Sequence, residues 1–297
     1  MARLQAGDLF LEYDSHGDAG AEAILLIMGL GAQMTRWSPE FVSKLVARGF
    51  RVIRFDNRDV GLSDKLDDAG PPDMAAILTA LSQGRSPPVA YDLGDMAADA
   101  VALLDALQID SAHIVGASMG GMIAQLVAAD YPRRTRSLTS IMSTTGHPDL
   151  PRATPEAMTR LNTPAPDPRA DLEAYVAHSI ASARVMGSPA YPVPAAELRE
   201  QAISTVGRSY YPVGFARQYA AILASPDRRA KLAGVTAPAL VIHGQADPLV
   251  PVEGGRDTAA SIPGAELLEI PGMGHDLPGP LHDQVVDAIV AIAARAG

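Results

Sequence analysis

The sequence predicts an α/β protein: an open, mostly parallel sheet with helices on both faces, interrupted by a helical insertion. Three observations lead there. Short apolar, β-branched runs alternate with longer helical patterns through the first half of the chain. A G-x-S-x-G string, Gly116-Ala117-Ser118-Met119-Gly120, stands where one such run gives way to a helix. The alternation then stops across a span crowded with prolines and resumes near Ala239.

The elements follow in order. Ala23 to Ile27 is a continuous apolar run that ends at Gly29, as a strand buried on both faces does. Phe41 to Arg48 reads as a helix stopped by Gly49, and Arg51 to Asp56 as the next strand. From Asp92 to Leu107, residues Met96, Ala100, Leu103, Leu104 and Leu107 share one helical face. His113 to Gly116 is a strand, and Met122 to Asp130 is a helix closed by Tyr131-Pro132. Leu138 to Met142 supplies a further strand. Between Pro148 and Pro226 no buried strand is legible, and helical pieces such as Leu172 to Ala183 and Ala195 to Thr205 fit between the prolines. Residues 146–230 are therefore expected to form a helical cap inserted into a core made of 1–145 and 231–297. In the second part of that core, Ala239 to His243 and Glu266 to Ile270 read as strands, with a helix from about Glu253 between them and an amphipathic helix from Leu281 to Ala294.

Composition narrows the function. A chain of 297 residues with 47% hydrophobic and 20% charged residues is ordinary globular material. It is long enough to bury roughly 75% of its unfolded surface. It has no cysteine, which excludes disulfide scaffolds, thiolate metal sites and cysteine nucleophiles. The net charge of −10 disfavours contact with nucleic acid phosphates. The longest apolar run, Ala23 to Met28, is far too short to span a bilayer, and the first residues lack the apolar stretch of a secretory signal, so a cytoplasmic protein is expected. Only three of the 24 basic residues are lysines, a bias that fits a GC-rich bacterial genome.

The G-x-S-x-G string has the layout of a nucleophile elbow, a turn so tight that its serine is held strained at the carboxyl edge of the sheet. A phosphate-binding turn is the alternative, but no G-K-[ST] continuation follows. A serine hydroxyl attacks only after a base removes its proton. Of seven histidines, His275 is the candidate, because the loop Pro271-Gly272-Met273-Gly274-His275 presents it after the last strand. His113 and His243 fall inside buried strands and read as core residues. The imidazole needs an acid to hold its tautomer. Asp247, in the turn after the strand Ala239 to His243, is the first choice, and Asp276, beside the histidine, the weaker one. The developing oxyanion needs two donors: the N–H of Met119, just after the nucleophile, and the N–H of Leu30 in the glycine-containing loop after the first buried strand. Trp37 and Met122 are candidates for an apolar substrate pocket.

The order Ser118, Asp247, His275 and the run Asp56-Asn57-Arg58-Asp59-Val60-Gly61-Leu62-Ser63 together resemble the α/β-hydrolase superfamily over nearly the whole chain. In that run, Asp59 stands where the superfamily often has glycine. The I-M-G start of the oxyanion loop, the N-R-D loop and the E-I-P-G-M-G-H ending are similar to the bacterial aclacinomycin methylesterase-like group. Leu30-Gly31, Ala117 and Gly121 depart from that group's pattern. The resemblance implies an α/β-hydrolase fold and a serine carboxylesterase or methylesterase that acts on an apolar small-molecule ester through an acyl-enzyme, without metal or organic cofactor. A C–C bond hydrolase, a cofactor-free haloperoxidase (perhydrolase) and a ligand-binding receptor that keeps the triad use the same scaffold and remain as alternatives. The chain is expected to be a monomer, or a homodimer through an exposed apolar face on its terminal helix.

Overall fold

Alternate residues along the central strands divide between the two faces of one sheet. In β3 (Ala23–Ile27), Leu25 and Ile27 point to one face, while Ile24 and Leu26 point to the other. The computed structural model describes residues 2–296. It completes the sheet with β1 (Ala2–Ala6), β2 (Leu9–His16), β4 (Arg51–Phe55), β5 (Ala112–Ala117), β6 (Thr135–Ile141), β7 (Ala239–Gly244) and β8 (Glu266–Ile270). The strand order is β1-β2-β4-β3-β5-β6-β7-β8. From β4 onward all neighbours are parallel, and only the β1–β2 and β2–β4 pairs are antiparallel. The hairpin β1–β2 has no clear sequence signal. Its strands lie at the sheet edge, half exposed, and carry no continuous apolar run.

Helices cover both faces. α1 (Pro39–Ala47) and α11 (His282–Ala293) pack beside each other on the Ile24 face. α3 (Leu93–Ala106) and α4 (Met119–Asp130) cover the Leu25 face. α3 begins at a reciprocal cap: Asp92 accepts from the amides of Gly94 and Asp95, and Asp95 accepts from the amide of Asp92. α2 (Met74–Ser82) lies outside the sheet, and α9 (Arg229–Leu232) and α10 (Val252–Ser261) precede and follow β7. The helix expected from Met122 starts at Met119, because the chain enters it directly from Ser118.

Residues 142–238 contain no strand. They hold α5 (Pro155–Asn162), α6 (Leu172–Met186), α7 (Ala195–Arg208) and α8 (Pro212–Ala224), with α6 packed along α7. α6 buries only Val176 and α7 only Ala202, as helices in a thin outer layer do. One expectation is corrected here. The terminal helix has no free apolar face for a dimer, because Val285, Val286, Ile289 and Ile292 are all 2% exposed or less within the core. Burial of each such side chain is worth about 1.5–3 kcal/mol to this chain alone. Among the described residues, no helix is long and apolar enough to cross a membrane.

Candidate active site

The site assembles at the carboxyl ends of the parallel strands. β5 ends at Ala117, and Ser118 follows with φ 57° and ψ −121°, a conformation that a serine adopts only under strain. That strain is on the order of 1–3 kcal/mol, and close packing holds it. A Cβ added to Gly116 would lie 2.0 Å from the Gly120 carbonyl oxygen, and one added to Gly120 would lie 2.1 Å from that of Ile27. No side chain fits at either position. The Ser118 amide donates to the Ile141 carbonyl at 2.9 Å, fixing the elbow to β6.

Two further loops converge on this serine. After β7 the chain turns so that Oδ1 of Asp247 accepts from the amides of Leu249 (2.9 Å) and Val250 (2.8 Å). After β8 it turns again to bring in His275. The two loops are joined: the amides of Gln245 and Ala246 donate to the carbonyls of Ile270 and Met273. His275 Nδ1 lies 2.7 Å from Asp247 Oδ2, and its Nε2 lies 2.9 Å from Ser118 Oγ. Both contacts are hydrogen bonds when Nδ1 carries the proton and Nε2 accepts from the hydroxyl. The Asp247 carboxylate is wholly buried and the imidazole 10% exposed, so the pair is shielded from water while the ring edge stays reachable.

Asp276 is turned away from the imidazole. Its Oδ1 accepts from the Ser188 hydroxyl, whose oxygen in turn accepts from the Gly274 amide at 2.9 Å. Burial pushes the Asp276 carboxyl up, against the opposing hydrogen bond from Ser188. His113 is a core residue, bonded to Ser137 Oγ at 2.9 Å and packed edge-on against Phe50. His243 is buried too, with Nε2 donating to the Val250 carbonyl at 2.8 Å, directly beside the Asp247 turn. Burial holds its pKa below the ordinary histidine value, so it stays neutral there.

Among the expected oxyanion donors, Met119 is the first residue of α4, so its amide has no partner within the helix. Leu30 lies in the loop after β3, which passes close to Ser118. A Cβ at the preceding Gly29 would lie 3.1 Å from Ser118 Cβ. The Gly31 amide is engaged by Gln218 Oε1 at 2.8 Å and the Ala32 amide by the Gly29 carbonyl, bonds that leave the Leu30 amide out.

Trp37 and Met122, expected in the pocket wall, are core residues instead. Trp37 is 1% exposed and stacks on Phe41 at 5.3 Å beneath α1. Met122 is 7% exposed and belongs to the core cluster on the Leu25 face. Their periodicity reflects sheet and helix packing rather than a ligand surface.

A layer of polar residues braces the site, and of these Arg208 and Arg217 carry no sequence signal. Asp56, fully buried, accepts from the amides of Met34 and Leu62 and from Arg208 Nη1 at 2.6 Å. Asp59 keeps the left-handed turn that a glycine would make there (φ 68°). Its carboxylate forms a two-bond pair with Arg217 at 2.7 Å and accepts from Tyr91. Burial alone would raise this carboxyl, but the Arg217 bonds hold it below the usual range. Asp56 and Asp59 belong to a motif the sequence displays, whereas Arg208 and Arg217 stand in helices with no motif around them.

Comparison with known proteins agrees with this architecture. The profile of the alpha/beta hydrolase fold family matches residues 22–278. The chain is 32% identical over 295 residues to rhodomycin D methylesterase DnrP of Streptomyces peucetius, covering 93% of this chain and 92% of that protein. The enol-lactonase of Burkholderia xenovorans superposes with a TM-score of 0.72 at 24% identity, covering 99% of this chain and 100% of that one. A meta-cleavage product hydrolase of Pseudomonas fluorescens gives 0.76 at 18% identity, covering 100% and 98%. At these identities both structures show the shared fold alone.

Proposed function

The chain belongs to the alpha/beta hydrolase fold family, and from that premise we propose that it hydrolyses a carboxylic ester through an acyl-enzyme formed on Ser118. The unbroken pair of hydrogen bonds from Ser118 Oγ to His275 and from His275 to Asp247 supports this assignment.

In the first step His275 Nε2 takes the Ser118 proton as Oγ attacks the ester carbonyl. The negative charge that develops on the carbonyl oxygen is met by the N–H groups of Leu30 and Met119, each donor worth about 3 kcal/mol at the transition state. The imidazolium is stabilised by the buried Asp247 carboxylate, which also keeps the ring from turning. His275 then hands its proton to the departing alkoxide, and the alcohol leaves. In the second step His275 deprotonates a water that attacks the acyl carbon. The collapsing intermediate expels Ser118, which regains its proton from His275. Chemistry at the ester carbon is carried by side chains and backbone amides of this chain.

Residues 146–230 are read as a cap over this site. The relative at 32% identity is named for removing a methyl ester from rhodomycin D. A methyl ester on a bulky, largely apolar acyl group is therefore the first substrate to offer. Steady-state turnover of p-nitrophenyl esters of rising chain length, alongside methyl esters of polycyclic aromatic acids, tests the proposal. Multiple turnovers by wild type and background rates for Ser118→Ala are expected. A wild-type chain that ignored every ester but cleaved a vinylogous diketone, halogenated in peroxide, or merely bound ligand would overturn it.

A further inference from the structure

The loop that carries Leu30 is fastened at several points, Gln33 among them through Arg208 and the carbonyls of Thr205 and Ser209. Asn57 Nδ2 donates to the Met28 carbonyl at 2.9 Å, and Asp56 accepts from the Met34 amide at 2.8 Å. Both belong to the adjacent loop after β4 and hold the two ends of the segment. The fastening next to Leu30 comes from elsewhere. Gln218 sits in α8, is fully buried, and accepts from the Gly31 amide at 2.8 Å through Oε1. Its Nε2 donates to the Arg58 carbonyl at 2.7 Å. The side-chain amide is thus used at both ends, and neither end can rotate away without leaving a buried group unpaired.

The neighbouring residue anchors the same stretch of helix. Arg217 is paired with Asp59, and Gly214 packs so tightly on that loop that a Cβ there would lie 2.0 Å from the Asp59 carbonyl oxygen. α8 therefore stands at a fixed distance from the loop after β4. The Gly31 N–H lies in the peptide plane just after Leu30, so only the two soft dihedrals of Leu30 separate it from the Leu30 N–H. Fixing the first restricts the direction of the second. An oxyanion donor has to be held within a few tenths of an ångström before the reaction begins, because a donor that must reorganise loses most of its advantage.

We infer that Gln218 is a positioning residue for the oxyanion hole: helix α8 reaches across the site and sets the Leu30 amide through Gly31. The inference rests on the ester-hydrolysis reading above. It assigns the helical segment between β6 and β7 a share in the rate of the chemical step, besides shielding the site.

Gln218→Met and Gln218→Glu test it in the full-length chain. Phenylboronic acid reports the oxyanion hole directly, since its boron accepts Ser118 Oγ and becomes tetrahedral. An unreactive ether analogue of the ester reports ground-state binding. Gln218→Met should lower kcat by about tenfold to hundredfold, a part of what the loss of a whole donor costs. It should weaken phenylboronic acid by a similar factor, with ether affinity unchanged. Gln218→Glu keeps the shape and, when protonated, both hydrogen bonds. Its rate relative to wild type should approach one in mild acid and fall as pH rises and the carboxylate forms against the Arg58 carbonyl. Should Gln218→Met not fold, this pH-dependent ratio decides alone. A ratio flat near one would overturn the inference. So would a fall in rate with phenylboronic acid affinity intact, the mark of a merely structural role. A wild-type chain that neither hydrolyses esters nor binds phenylboronic acid would instead overturn the ester reading, and the inference with it.

Discussion

Replacing Asp247 by asparagine perturbs the proposed proton relay at its most buried point without changing its shape. The outcome follows from the two sets of bonds that the carboxylate makes. Oδ1 accepts from two amides, those of Leu249 and Val250, so an asparagine must keep its carbonyl oxygen there. Its NH₂ group then faces His275 Nδ1, where Oδ2 of the aspartate stands at 2.7 Å. A donor at that position forces Nδ1 to accept, which moves the ring proton to Nε2. Nε2 then presents an N–H to Ser118 Oγ, and the serine has no base. The equivalent change in a serine protease triad costs about 10⁴ in kcat, which is about 5 kcal/mol of activation free energy. The assay is steady-state hydrolysis of a short p-nitrophenyl ester, with thermal unfolding measured in parallel. A kcat more than a thousandfold down with little change in KM or Tm is expected. A rate within tenfold of wild type would show that Asp247 does not set the tautomer and would refute this reasoning.

Two other perturbations test the scaffold. Asp59→Asn removes the carboxylate from a pair in which Arg217 is 2% and Asp59 0% exposed, leaving a buried guanidinium uncompensated. The loss should be about 3–5 kcal/mol, a drop in Tm on the order of 10 °C. The folded Asp59 carboxyl titrates below its unfolded value of about 3.9. Its contribution is therefore complete above that pH and lost as pH falls through the folded value, so the gap between variant and wild type should close in strong acid. An unchanged Tm at neutral pH would contradict this. Gly120→Ala should abolish soluble expression or lower Tm severely, because its Cβ would meet the Ile27 carbonyl oxygen at 2.1 Å. Near-wild-type stability would show that the elbow can relax.

The parallel core was legible because each central strand is a run of apolar residues buried on both faces. The nucleophile, base and acid candidates could be picked out because each stands in a glycine- or proline-marked turn at a strand end. What was not legible depends on distance in the chain. The edge hairpin β1–β2 has no continuous apolar signal, and Gln218, Arg208 and Arg217 look like ordinary polar positions on amphipathic helices. Only folding reveals that they point into loops more than a hundred residues away. Trp37 and Met122 differ from expectation for a related reason. A large apolar residue near a strand-end loop has the same pattern whether it faces a cavity or the core, and both lie in core clusters. Asp59 is visibly unusual within its motif, but its reason, a charge partner in α8, lies outside it.

In the proposed reaction Ser118 Oγ is the atom that attacks. Labelling the intact protein with a fluorophosphonate and mapping the adduct by mass spectrometry measures this directly. One adduct per chain is expected, located on Ser118, absent in Ser118→Ala and formed far more slowly in His275→Ala. An adduct on another residue, or equal labelling of the Ser118→Ala protein, would contradict it.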